Sequence, residues 1–285
     1  AYIPQFNSVA VTGLPSFVVG AGTAAVLQNV TDYGAGLGLI LRSGTTFFGG
    51  SLAGGTLNAD GSAPLSGGVY VMPGAILRFG SGTLASGTAQ IGLGSLVVNP
   101  GGTLVLEGTG NLLASQKIDL RTTANSLGIV QLGSNFDPAA LTSSMFTTTS
   151  TGLLLVGTVS AGAGSWNFSG LGDGNFQIAA IAGGTTFSGS LNAGSGSYRL
   201  GGNNTTLTLS ATNALSGSAR AIIGSLASPG NVTLSGGSNN YTGGTTIARG
   251  STLTISTGNT AATSAVGSGA VDVFGTLAMT GSWAS

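Results

Sequence analysis

Apolar and polar residues alternate along much of the chain. Val232 and Leu234, Leu253 and Ile255, Leu207 and Leu209, and Ile118 and Leu120 are each separated by a polar residue. That period of two predicts short strands with one face buried. A common template recurs three times: Val71-Met-Pro-Gly-Ala-Ile-Leu-Arg-Phe79, Val98-Asn-Pro-Gly-Gly-Thr-Leu-Val-Leu106 and Ile247-Ala-Arg-Gly-Ser-Thr-Leu-Thr-Ile255. In each, an apolar β-branched residue precedes a Pro-Gly or Arg-Gly pair, and a Leu follows three residues after the Gly. Pro-Gly fits the two central positions of a type II turn, so the template reads as strand, corner, strand. Spacings such as Gly74 to Gly101 and Gly250 to Gly275 mark a repeat array. The expected fold is all-β, a parallel β-helix (β-solenoid) with about 20–27 residues per coil. At ~25 residues per coil and ~4.8 Å per rung, roughly eleven coils would make a rod on the order of 50 Å long.

The template is not equally clear everywhere. Residues 1–68 read as a possible N-terminal cap or as irregular coils, with Pro4 and Pro15 limiting pairing. Gly34, Gly36 and Gly38 form a glycine corner; no helical sequence or suitably placed acid follows to make it a nucleotide loop. Near 134–151 a small helical or loop insertion is expected, with Asp137 as N-cap and Pro138 in the first helical position. Gly183-Gly-Thr-Thr-Phe187 echoes Gly243-Gly-Thr-Thr-Ile247. The whole of 1–285 reads as one solenoid, with 231–279 its clearest repeat.

Within that clearest repeat, Asn239, Tyr241, Thr242, Gly243, Gly244, Thr245, Thr246, Ile247, Gly250 and Leu253 follow a recognisable order. The stretch resembles the autotransporter-associated β-strand repeat of bacterial passenger domains. It departs from that pattern by one extra residue between Gly250 and Leu253, and by Arg249 where a small residue is usual. The close match covers about thirty residues. The resemblance implies a right-handed parallel β-helix, secreted and displayed on a bacterial surface.

Composition sharpens this picture. Gly accounts for 53 of 285 residues, charged residues for 5%, and the mean hydropathy is +0.43. Disordered chains combine low hydropathy with high charge, and collagen needs Gly at every third position; this chain does neither. With seven basic and seven acidic residues the net charge is zero, so no nucleic-acid partner is expected. A weakly charged surface also favours association. No apolar run is long enough for a transmembrane segment, and scattered aromatics do not form the girdles of a membrane barrel. Ala1 reads as a processed N-terminus and Ser285 as a cut, or as a face completed by a neighbouring molecule.

The chemistry available is narrow. The chain has no His and no Cys, which removes Ser-His and Cys-His nucleophiles and disfavours zinc. The carboxylates Asp32, Asp60, Glu107, Asp119, Asp137, Asp173 and Asp272 are widely spaced. No catalytic, cofactor-binding or metal-binding residue is assigned, and no enzyme activity is expected. Lys117, Asp119 and Arg121 form the densest charge cluster, read as an exposed strand face with weak ion pairs. Asn239 and Asn240 are expected to serve a turn or to stack with Asn on adjacent coils. The function expected is that of a secreted bacterial solenoid with a structural or adhesive role. Its partners are then copies of itself, added strand to strand at the ends, or surface and glycan targets. The alternative is a β-helix that binds or degrades polysaccharide through the Lys117/Asp119/Arg121 face.

Overall fold

The computed structural model describes residues 68–79, 95–106, 117–133, 136, 141–157, 164–256 and 265–280. It also describes the backbone of the strands Gln5–Phe6, Val9–Val11, Ser16–Val18, Ala24–Leu27, Val30–Asp32 and Leu39–Phe48. The chain is an all-β, parallel β-solenoid of about 7 turns with almost no helix. Two compact units are distinguished: residues 1–122 with 127–150, and residues 123–126 with 151–285.

In the first unit, one ladder runs through Ser16–Val18, Leu39–Phe48, Val69–Val71, Leu96–Val98 and Ile118–Leu120. A second runs through Gln5–Phe6, Ala24–Leu27, Leu39–Phe48, Ala75–Phe79, Thr103–Leu106 and Ile129–Leu132. Every pairing is parallel, as coiling in one sense demands. Val69, Leu96 and Ile118 stand side by side and are fully buried, as are Leu77, Leu104 and Val130 on the second ladder. These columns account for the period-two pattern: no coil can bury its apolar row alone, and the next coil covers it.

In the second unit, Ser197–Leu200, Arg220–Ile223, Thr245–Ile247 and Val271–Val273 form one wall. Thr185–Phe187, Thr206–Leu209, Asn231–Leu234, Thr252–Ser256 and Thr276–Thr280 form another. Leu207, Val232, Leu253 and Leu277 share one column, so successive coils take 25, 21 and 24 residues. These lengths lie within the expected range. Trp166 packs against Phe168 and Phe187 at centroid distances of 5.7 and 4.5 Å, and all three rings are buried.

The template corners fold as their residues require. The N–H groups of Ala75, Gly102 and Ser251 donate to the carbonyls of Met72, Asn99 and Ala248, closing four-residue turns. Gly74, Gly101 and Gly250 take the third place in these turns with φ of 79°, 83° and 76°, a region where a side chain is strained. Arg249 therefore substitutes for Pro without changing the corner, because the Gly sets its shape.

The two Gly-Gly-Thr-Thr strings do not occupy equivalent places. Thr185 pairs with Leu207 on one wall, whereas Thr245 pairs with Ala221 on the other. Among the described residues, the expected helical or loop insertion near 134–151 contains one 3₁₀ turn, Ser143–Met145. The segment after this turn is no free decoration. Phe146 bridges to Ile118, and the buried Ser150 hydroxyl donates to the Ile118 carbonyl at 2.8 Å while accepting from the Leu120 N–H at 3.0 Å. Asp137 and Pro138, the expected helix start, lie outside the described residues, as do Gly34 to Gly38.

Candidate functional surfaces

The repeat that carries the family resemblance builds a polar corner inside the second unit. Asn239 is buried; its Oδ1 accepts from the Leu215 N–H and its Nδ2 donates to the Ala265 carbonyl, both at 3.0 Å. One side chain thus ties together segments 24 residues before and 26 residues after it. The Asn240 N–H donates to Asn213 Oδ1 at 3.1 Å, so Asn residues of adjacent coils do meet. Tyr241 is fully buried, its hydroxyl 2.5 Å from Thr245 Oγ1 and its ring 6.4 Å from that of Tyr198, edge to face. Thr245 is itself fully buried. Asn, Tyr, Gly-Gly and Thr at these spacings are therefore a stacking device.

Burial pushes the Tyr241 phenol up to about 12, the hydrogen bond to Thr245 acting in the opposite sense. The phenol is neutral when protonated, so a folded value above the usual 10 favours the fold below pH 10. That contribution is lost as pH rises from 10 towards 12, where the unfolded chain ionises first. Alkaline titration followed by tyrosinate absorbance is expected to show one tyrosine ionising late, together with loss of β-sheet circular dichroism. Substitution Tyr241→Phe is expected to remove that late step. Ionisation of every tyrosine near pH 10 with the fold intact would contradict the burial of this phenol.

The Lys117/Asp119/Arg121 face is arranged as the alternation predicts. Ile118 and Leu120 are buried, Lys117 and Arg121 are exposed, and Asp119 is half-buried. Arg121 Nε and Nη2 both bond Asp119 Oδ2, at 2.8 and 2.7 Å. Asp119 pairs with Val97, and Val97 with Tyr70, so the nearest residues of this outward column bring no second carboxylate. Acid–base cleavage of a glycosidic bond normally uses two. An exposed pair of this kind contributes well under about 1 kcal/mol.

One charged pair has no signal in linear spacing. Arg220 and Asp272, 52 residues apart, form an ion pair on the outer side of the other unit. Ile222, Thr246 and Asp272 are aligned by strand register, and Arg220 reaches over the middle strand to Asp272. Only the register reveals this neighbourhood. Thr246 Oγ1 and Arg199 Nε on the same ladder are buried without partners.

Among the described residues, no group of three or more His, Cys, Asp or Glu could hold a metal ion. No helix among them is long and apolar enough to cross a membrane. The architecture defines a β-solenoid. In comparisons with family models, curated proteins and solved structures, no match to this chain was found.

Proposed function

We propose that this chain belongs to a secreted, non-enzymatic bacterial β-solenoid with a structural or adhesive role. It acts as a stiff element on or outside the cell, either displayed as an autotransporter-like passenger or self-associating into an extracellular filament. The observation that carries this reading is the run of stacking columns. Leu200, Ile223 and Ile247 are buried to within 1% in successive coils, and so are Leu207, Val232 and Leu253. Rigidity follows, because each coil is clamped by hydrogen bonds and apolar contact on both sides. The resemblance at Asn239 to Leu253 supports the passenger version. The weak charge of the chain supports association.

Negative-stain electron microscopy over a range of concentrations tests the proposal. Filaments with a regular axial repeat, lengthening with concentration, are expected if copies stack. Discrete short rods at every concentration would remove the filament version and leave the displayed passenger. Flexible or globular particles would remove both.

A further inference from the structure

One wall of the second unit carries an ordered array that stacking does not require. Outward of the buried Leu and Val columns, Thr186, Thr208, Thr233 and Thr254 stand in register on four successive coils. A parallel row holds Thr206, Asn231, Thr252 and Thr276. Their strands read Thr-Leu-Thr, Asn-Val-Thr and Thr-Leu-Thr, with the middle residue buried and the flanking ones half-buried. Rows lie ~4.8 Å apart from coil to coil and ~6.6 Å apart along each strand. Only Asn231 and, beyond Thr254, Ala278 interrupt the pattern.

Strand propensity alone does not explain it. Thr is favoured in strands as a β-branched residue, yet the neighbouring wall of the same coils places Arg199, Ile222, Thr246 and Asp272 in one outward row. The Thr wall carries no charge. The fates of the hydroxyls differ as well. Thr185 and Thr205 spend theirs on the carbonyls of Val156 and Ala180 at 2.6 and 2.7 Å. Among the described residues, the hydroxyls of the two outward rows have no protein partner. Each therefore keeps its donor and acceptor capacity for water, beside a methyl group that holds the water around it in place.

We propose that this wall binds ice. An uncharged two-dimensional grid of hydroxyls and methyls, with spacings close to those between oxygens on the faces of an ice crystal, offers the lattice a matching surface. A solenoid supplies what an ordinary sheet lacks: one-to-one register over many rungs without accumulating twist. Charged or bulky side chains would spoil the match. The wall also carries none of the aromatic platforms that a polysaccharide surface calls for.

The test uses the full chain. Ice is grown slowly from a dilute solution, and protein is measured in the ice and in the remaining liquid. Ice recrystallisation and the gap between melting and freezing points are followed in parallel. The wild-type chain is expected to be enriched in the ice, to slow recrystallisation and to facet the crystals. The double substitution Thr233→Lys and Thr254→Lys is expected to reduce all three to the level of an ice-inert protein, with circular dichroism unchanged. Thr242→Lys, exposed at a corner away from the rows, is expected to retain them. Should the double variant unfold, the single substitution Thr254→Tyr gives the same reading. Exclusion of the wild-type chain from ice would overturn the proposal, as would undiminished activity in a folded Thr233/Thr254 variant. Binding to cellulose or chitin without binding to ice would overturn it in favour of a glycan surface.

Discussion

Leu253→Ala is expected to lower the unfolding free energy by about 2–5 kcal/mol, the range for deleting a buried leucine side chain. Leu253 is fully buried and has Val232 on one side and Leu277 on the other. Its removal therefore opens a void against two coils at once. The backbone ladder holds the strands at a fixed spacing and resists collapse into that void, which favours the upper part of the range. Urea denaturation followed by circular dichroism measures the change as a drop in the transition midpoint. A reduced slope would mean that the coils on either side no longer unfold together, the expected failure of a quasi-one-dimensional array. The outward neighbour Thr254 serves as the control. Thr254→Ala removes no core contact and is expected to stay within about 0.5 kcal/mol of the parent. If Leu253→Ala cost no more than Thr254→Ala, the column would not be a packed core.

The inward placement of Leu253 is legible in the amino-acid sequence alone, and the reasons show where sequence reading stops. Alternation is local: a strand with one buried face writes its pattern into consecutive residues, so Val232, Leu234, Leu253 and Ile255 can be placed inward directly. The corners at Gly74, Gly101 and Gly250 are legible for the same reason, since their positive φ restricts the residue at that position. Register is not local. Arg220 meets Asp272 only because two coils between them have particular lengths, and those lengths are set by corners whose residues do not encode them. The Gly-Gly-Thr-Thr strings show the same limit. At 183–187 the turn closes through the Gly184 N–H to the Ile181 carbonyl, with both glycines at positive φ. At 243–247 only Gly244 is at positive φ, and the strand falls on the other wall. Identical residues meet different preceding segments, and the segment decides. The Thr rows are invisible in the sequence for a related reason. Each Thr reads as an ordinary exposed strand residue until register aligns it with the next.

Asn239 provides the sharpest test of the repeat motif, because two substitutions separate its hydrogen bonds from its packing. Asn239→Leu keeps the approximate volume but leaves the buried Leu215 N–H and the Ala265 carbonyl without their partners. Each loss is expected to cost about 1–3 kcal/mol, independent of pH. Asn239→Asp behaves differently. Above the ordinary carboxylate range, near pH ~4, its carboxylate still accepts from Leu215 but faces the Ala265 carbonyl oxygen, so oxygen meets oxygen in a buried site. When protonated, the same group can donate to Ala265 and restore both bonds. Burial and the carbonyl disfavour its charged form, so the folded value lies above the unfolded one. Stability is then greatest below the unfolded value and falls as pH rises through the folded one. Thermal melts between about pH 3 and pH 7 are expected to show Asn239→Asp losing ground on the parent as pH rises, while Asn239→Leu keeps a constant deficit. Parallel pH dependence in the two variants would mean that Asn239 only fills space, and that the hydrogen bonds between coils do not govern this corner.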